Sequence, residues 1–206
     1  MRLYWKQALS LEKEGYEVKL ISMHSKKINR TEGNISWISI KKPKNRYLRF
    51  INTIRLLFLS LSLKVDAYQL SVSEVLWFSL FIRIFKPRVR IIYDCHEPLE
   101  LFIPNKPWVP RFFKPLVHRL VVIYEWVNTL FCNAVIVCAE SRIQHFERWH
   151  RKVRLVRNFP YKRTQQIKPW LEREKTILNL GGISAERGLP ELVEISKIIS
   201  ESKTGY

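Results

Sequence analysis

The sequence predicts an α/β fold: a Rossmann-like, mainly parallel sheet with helices on both faces. Three observations predict it. Apolar residues switch repeatedly between helical and strand-like spacing along the 206-residue chain. The polar, chemistry-bearing stretches fall directly after apolar strand-like runs, where an open parallel sheet places its ligands. A content of 47% hydrophobic and 13% aromatic residues supplies a sizeable core.

Taken in order, Tyr4, Ala8 and Leu11 share one face of a helix that stops at Gly15, and "YEVKLIS" then alternates as a strand does. "NISWISI" reads as a second strand. A basic, aromatic helical region runs from about Asn45 to Lys64, with Tyr47, Ile51, Ile54, Phe58 and Leu61 spaced by threes and fours. "VDAYQL" follows as a strand, "SEVLWFSLFIRIF" as a helix ended by Pro87, and "VRIIYD" as a strand. After a Pro-rich loop come a helix from about Pro110 to Phe131, strand "AVIVCA", helix "SRIQHFERW" and strand "VRLVRNF". A polar segment from Tyr161 to Lys175, strand "TILNLGG" and a helix from about Leu189 complete the reading. There is no internal repeat and no low-complexity tract.

Charge and cysteine usage bound the partners. Against 36 Lys and Arg stand 18 Asp and Glu, a formal +18, which points to anionic partners such as phosphate groups, acidic lipid or nucleic acid. Cys95, Cys132 and Cys138 are odd in number and lack CxxC spacing, so neither a disulfide framework nor a zinc site is indicated and a reducing cytoplasm is expected. No basic-then-apolar leader is recognisable at Met1. "LLFLSLSL" is too short to span a bilayer, and "LVVIYEWVNTLFCNAVIVC" carries Glu125 and turn-like residues. Asn34, Ile35 and Ser36 fit a glycosylation acceptor, which means nothing in a cytoplasmic chain.

Five stretches sit at predicted strand ends: "SVSE" with Ser73 and Glu74, "DCHE" with Asp94, His96 and Glu97, "AES" with Glu140, "NFP" with Asn158, and "GGISAERG". His96 beside Glu97 suits a base, an acid or a hydroxyl clamp, because imidazole titrates near neutrality and carboxylates bind sugar hydroxyls. The plainer alternative is that Asp94 or Glu97 caps amides of the following loop. A metal on Asp94, Cys95 and His96 is not expected, since adjacent strand residues point to opposite faces. In "GGISAERGLPEL", a Gly-rich turn before a helix lets amides approach a phosphate, with Arg187 as a bidentate charge. Gly181 and Gly182 lack the spacing of the common nucleotide fingerprints, so an ordinary turn with a solvated arginine stands beside that reading.

Basic residues interleave with aromatics in two regions. Lys41 to Leu70 holds seven basic residues against Asp66 alone, and Leu101 to Tyr124 holds four with no acid, alongside Phe102, Trp108, Phe112, Phe113 and Tyr124. Such segments dock on an anionic leaflet, or form a solvated basic face over an ordinary core helix. A third basic run, Arg148 to Lys168, has eight basic residues with Trp149, Phe159 and Tyr161, which is the footprint of a nucleic-acid module. It lacks any recognition-helix, zinc or RNP signature, so no nucleic-acid partner is expected.

The stretches "YWKQALSLEKEGYEVKLIS", "DAYQLSVSEVLWFSL", "RIIYDCHE", "AVIVCAES", "VRLVRNFP" and "LNLGGISAERGLPELVE" follow one another in an order that resembles glycosyltransferase family 4, retaining sugar-nucleotide enzymes of the GT-B fold. The resemblance implies an acceptor domain over residues 1–159, lacking its first strand, a linker over 160–175, and the start of a nucleotide-sugar-binding domain over 176–206. It implies catalytic roles for His96 and Glu97. Donor contacts would come from Gly181, Gly182, Arg187 and Gly188, and acceptor-side contacts from Asp94, Ser73, Glu74, Glu140 and Asn158. The donor is then a nucleotide-sugar substrate, the acceptor a glycan or a lipid-linked species, and neither a cofactor nor a metal is required. The expected place is the cytoplasm, peripheral on the inner face of the membrane. The family's usual first strand with its glycine loop, and its paired glutamates, have no counterpart within these residues, so the chain is expected to be a fragment, inactive alone. Gln69 stands where the family often has histidine, and Ser71 where it often has an acid. A non-catalytic scaffold descended from such an enzyme is the remaining alternative.

Overall fold

Two sheets carry the fold in the computed structural model, which describes residues 3–26, 28–43, 45–96, 99, 109–159, 169–172 and 188–201. The first is mixed: β1 (Val18–His24) pairs in parallel with β3 (Ile35–Lys41), and β2 (Asn29–Glu32) pairs antiparallel with β3. The second is all parallel: β4 (Ala67–Leu70), β5 (Arg90–Cys95), β6 (Ala134–Val137) and β7 (Val153–Leu155), in that spatial order. Helical segments alternate with these strands. A π-helical turn (Leu3–Ala8) runs into α1 (Leu9–Lys13), and α2 (Arg46–Ser62), α3 (Phe78–Phe85), α4 (Lys114–Thr129), α5 (Ile143–Glu147) and α6 (Leu189–Glu201) follow, with 3-10 turns at Ser73–Val75, Arg111–Phe113 and Glu140–Arg142.

Local chemistry explains the boundaries. α1 stops at Gly15, whose φ of 85° suits a residue without Cβ; the Gly15 N–H donates to Glu12 O at 2.9 Å and the Tyr16 N–H to Leu11 O at 3.0 Å, a Schellman closure. Gly33 at φ 55° begins the two-residue turn that joins β2 to β3. Pro115 occupies the first turn of α4, where its missing N–H costs nothing.

The parallel sheet buries one face under helices. Tyr68, Leu70, Ile91, Tyr93, Cys95, Val135, Val137 and Val153 form one cluster with Leu56 and Leu57 of α2, Phe78 and Ile82 of α3, and Phe146 of α5. Each large apolar side chain buried there contributes roughly 1.5–3 kcal/mol. Ile21, Met23 and Ile40 of the first sheet pack against the same cluster.

Two details depart from expectation. The sheet is not single, and it has an antiparallel member that periodicity does not reveal: all four residues of β2 are polar and exposed, so no apolar alternation marks it. The two faces of the parallel sheet are also covered unequally. On the side opposite the cluster, Ala67, Gln69 and Arg154 are exposed and Ile92, Ala134 and Ile136 half-buried. Only toward the carboxyl end of β5 does that side close, at the fully buried Asp94.

The chain divides into two compact units, Met1–Phe159 and Pro160–Tyr206. In the second, the described residues are a 3-10 turn, Trp170–Glu172, and α6 with Gly188 before it. The predicted strand "TILNLGG" and most of the polar segment before it lie outside the described residues.

Candidate functional site

Strand alternation sets the site. In β5, Ile91, Tyr93 and Cys95 face the helices, so Asp94 takes the opposite side, and His96 follows one step beyond the strand. A carboxylate without water requires compensating donors. The N-terminal turn provides one: Gln7 Nε2 donates to Asp94 Oδ2 at 2.7 Å. Gln69, at the end of β4, donates its Nε2 to the same Asp94 oxygen at 3.0 Å and to Gln7 Oε1, also at 3.0 Å. His96 Nε2 lies 3.5 Å from Asp94 Oδ2, with its side chain 31% exposed. A buried anion held by two amides therefore orients a half-exposed imidazole at the sheet's carboxyl edge. Such an imidazole can hold a hydroxyl, take its proton, or return one.

The same edge gathers other residues. Lys6 Nζ donates to Asn158 Oδ1 and to Phe159 O, each at 2.7 Å, so the N-terminal turn also ties down the "NFP" stretch after β7. Ser73 Oγ lies 2.9 Å from Tyr93 Oη, and Ser73 O accepts from Tyr124 Oη at 2.8 Å. Ser73 is thus braced from two elements. Glu74 takes a two-pronged contact from Arg49 Nη2, at 2.7 and 2.6 Å, and Glu140 pairs with Arg157. Both acids are exposed and already engaged with arginines, which fits rim positions.

Burial silences the thiols and phenols nearby. Desolvation pushes the Cys95 thiol up to about 12, and burial moves Tyr93 further in the same direction from its ordinary value. Cys138, half-buried, donates its Sγ to His96 O at 3.2 Å and fixes the backbone of the site. Among the described residues no group of three or more His, Cys, Asp or Glu is placed to hold a metal ion.

The structure brings Asp94 and His96 together, with Ser73, Glu74, Glu140 and Asn158 at neighbouring strand ends of the parallel sheet. Glu97, Gly181, Gly182 and Arg187 lie outside the described residues. Gly188, with φ 77°, precedes α6 in the second unit, and its carbonyl accepts from Leu192 N at 3.0 Å. Sequence reasoning missed Lys6 and Gln7, because a single polar residue on a short helix carries no periodic signal. Gln69 is visible in the sequence as a departure from the pattern of the family the chain resembles; its role as an amide donor to Asp94 needed the fold. Glu125 was also missed. It is fully buried in α4, its Oε1 accepts from Leu99 N at 3.1 Å, and its Oε2 lies 3.3 Å from His145 Nε2. A lone acid inside the apolar run "LVVIYEWV" was the available signal, since a buried carboxylate demands partners.

No family model matches the chain, and no curated protein matches it.

Proposed function

We propose that these residues belong to a glycosyltransferase that, as a complete enzyme, moves a sugar from a nucleotide-sugar donor to a glycan or lipid-linked acceptor. The observation that carries this reading is the Asp94–His96 pair, a buried carboxylate held by Gln7 and Gln69 beneath a half-exposed imidazole at the carboxyl edge of a parallel sheet. Sugar transfer needs a group that binds and orients hydroxyls near the reacting carbon, and His96 is set up for that. Asp94 positions it. Ser73, Glu74, Glu140 and Asn158 then form the acceptor side, with Glu97 as an adjacent clamp.

In the same reading, Met1–Phe159 is the acceptor domain, 160–175 a linker, and 176–206 the start of the donor domain. Gly181, Gly182, Arg187 and Gly188 would receive the donor diphosphate through amides and one guanidinium. The nucleotide-sugar is a substrate and the reaction asks for no resident cofactor. Three free thiols suit a reducing cytoplasm. The alternative of a nucleic-acid module loses one stacking aromatic, because Trp149 packs on the core and donates its Nε1–H to Thr129 Oγ1 at 3.1 Å.

The test is transfer itself. The complete gene product that carries these residues is incubated with radiolabelled uridine-, guanosine- and adenosine-diphosphate sugars and a membrane extract. Label entering the glycan or lipid fraction, and lost in Asp94→Asn and His96→Ala, supports the reading. Absence of incorporation across all donors would overturn it.

A further inference from the structure

α4 carries an exposed aliphatic face opposite its buried one. Its inner side is accounted for: Val121, Glu125, Asn128 and Thr129 are buried against the domain. Its outer side is a stripe of Leu116, Leu120, Ile123, Val127 and Leu130, spaced by fours and threes, all exposed, with Leu120 at 56%. Phe112 of the preceding 3-10 turn extends the stripe and is 86% exposed. A continuous aliphatic face on one helix is more than scattered surface hydrophobics and marks a contact surface. A shallow cavity of about 320 Å³ adjoins it, lined by Val117, Leu120, Val121 and Tyr124, with Ser73 and Glu74 at its polar lip.

Charge decides what covers the stripe. Arg111, Lys114 and Arg119 lie on or just before its first two turns, and no acid occurs from Leu101 to Tyr124. A second copy would bring a chain of formal +18 against another of +18, with no exposed acid on either stripe to compensate. Nucleic acid would match the charge and could stack on Phe112, Phe113 or Trp126, but the five aliphatic side chains that make up the stripe offer no ring for a base to stack on. An anionic bilayer surface matches both, taking the aliphatic stripe among its acyl chains and the arginines and lysine at its headgroups. No helix among the described residues is long and apolar enough to cross a membrane, so the fit is to a helix lying along the surface.

We propose that the outer stripe of α4, flanked by Arg111, Lys114 and Arg119, docks this protein on an anionic lipid surface. Tyr124, one of the aromatics expected at such a surface, is turned inward onto Ser73 and takes no part. The inference rests on the surface alone and is independent of the transferase reading.

Cosedimentation with vesicles tests it. The chain is expected to bind phosphatidylglycerol-containing vesicles and to bind pure phosphatidylcholine vesicles at least about tenfold less. Raising salt from about 0.1 M to about 1 M should weaken binding, as the screening length falls from about 10 Å to about 3 Å. The pair Leu120→Glu and Ile123→Glu should abolish binding with the circular dichroism spectrum unchanged; Arg119→Gln should reduce it about fivefold. Phe58→Glu, on α2, should leave it intact. Equal binding to both vesicle types overturns the proposal, as does loss with Phe58→Glu alone. So does a Leu120→Glu variant that binds vesicles normally but changes the mass of the protein in solution, which would assign the stripe to a second copy. Preferential binding of single-stranded RNA over anionic vesicles at equal salt would overturn it as well.

Discussion

Asp94 is a carboxylate at 0% exposure whose Oδ2 meets two amides and an imidazole. Replacing Gln69 with leucine removes one donor and leaves the acid less satisfied, which costs about 1–3 kcal/mol. Urea unfolding should show that loss, and an unchanged midpoint would mean that water takes the place of the amide. The thiols make a second residue-scale prediction. Burial pushes Cys95 and Cys132 up to about 12, while Cys138 is half-buried. In the native protein a thiol reagent should label Cys138 alone, with Cys95 and Cys132 reacting only in denaturant; early labelling of either would contradict their burial. Burial also pushes the Tyr124 phenol up to about 12. These groups keep their protons longer folded than unfolded, so their contribution is complete below about pH 9 and is lost as pH rises toward 12, by up to about 1.4 kcal/mol per pH unit for each group. Unfolding midpoints measured at rising alkaline pH should fall accordingly, and a flat profile would contradict the assignment.

At the scale of elements, α4 and α5 are joined by a buried acid and imidazole. Glu125 and His145 are 3.3 Å apart, and Glu125 also accepts from the Leu99 N–H. His145→Leu leaves the carboxylate without its imidazole and should cost about 3 kcal/mol, whereas the double variant with Glu125→Leu should recover part of that, because no buried acid remains and only the Leu99 N–H loses its acceptor. Denaturation of the two variants separates these outcomes; equal losses in both would mean that the pair is not coupled. The elements themselves were largely legible. Alternation in "RIIYD" follows from burial on one face and the stop at Gly15 from its positive φ; the fours and threes in α2 marked a helix but not its inner face, since Ile51 and Phe58 are exposed while Asn52, Thr53, Leu56, Leu57 and Ser60 are buried. β2 was not legible, because a strand exposed along its whole length has no apolar period, and its signal lay instead in the Gly33-Asn34 turn. The site was legible as locations: strand ends where Asp94, His96 and Asn158 fall. Its partners were not, since Gln7, Lys6 and Gln69 reach it only through long-range contacts that no local pattern encodes.

At the scale of the molecule, the four-stranded parallel sheet explains why residues far apart in sequence share one edge: parallel strands all end on the same side, so Ser73, His96, Glu140 and Asn158 are neighbours by topology. The N-terminal turn closes that edge through Lys6 and Gln7. The central claim is that this edge handles a sugar acceptor through His96. The most direct measurement is steady-state transfer by the complete gene product and its His96→Ala variant, with donor and acceptor varied separately and thermal unfolding recorded in parallel. The account predicts a loss of roughly 2–4 kcal/mol in the transfer step or in acceptor use, with donor KM and melting temperature unchanged. Transfer at the native rate together with a lowered melting temperature would make His96 a loop cap and contradict the account.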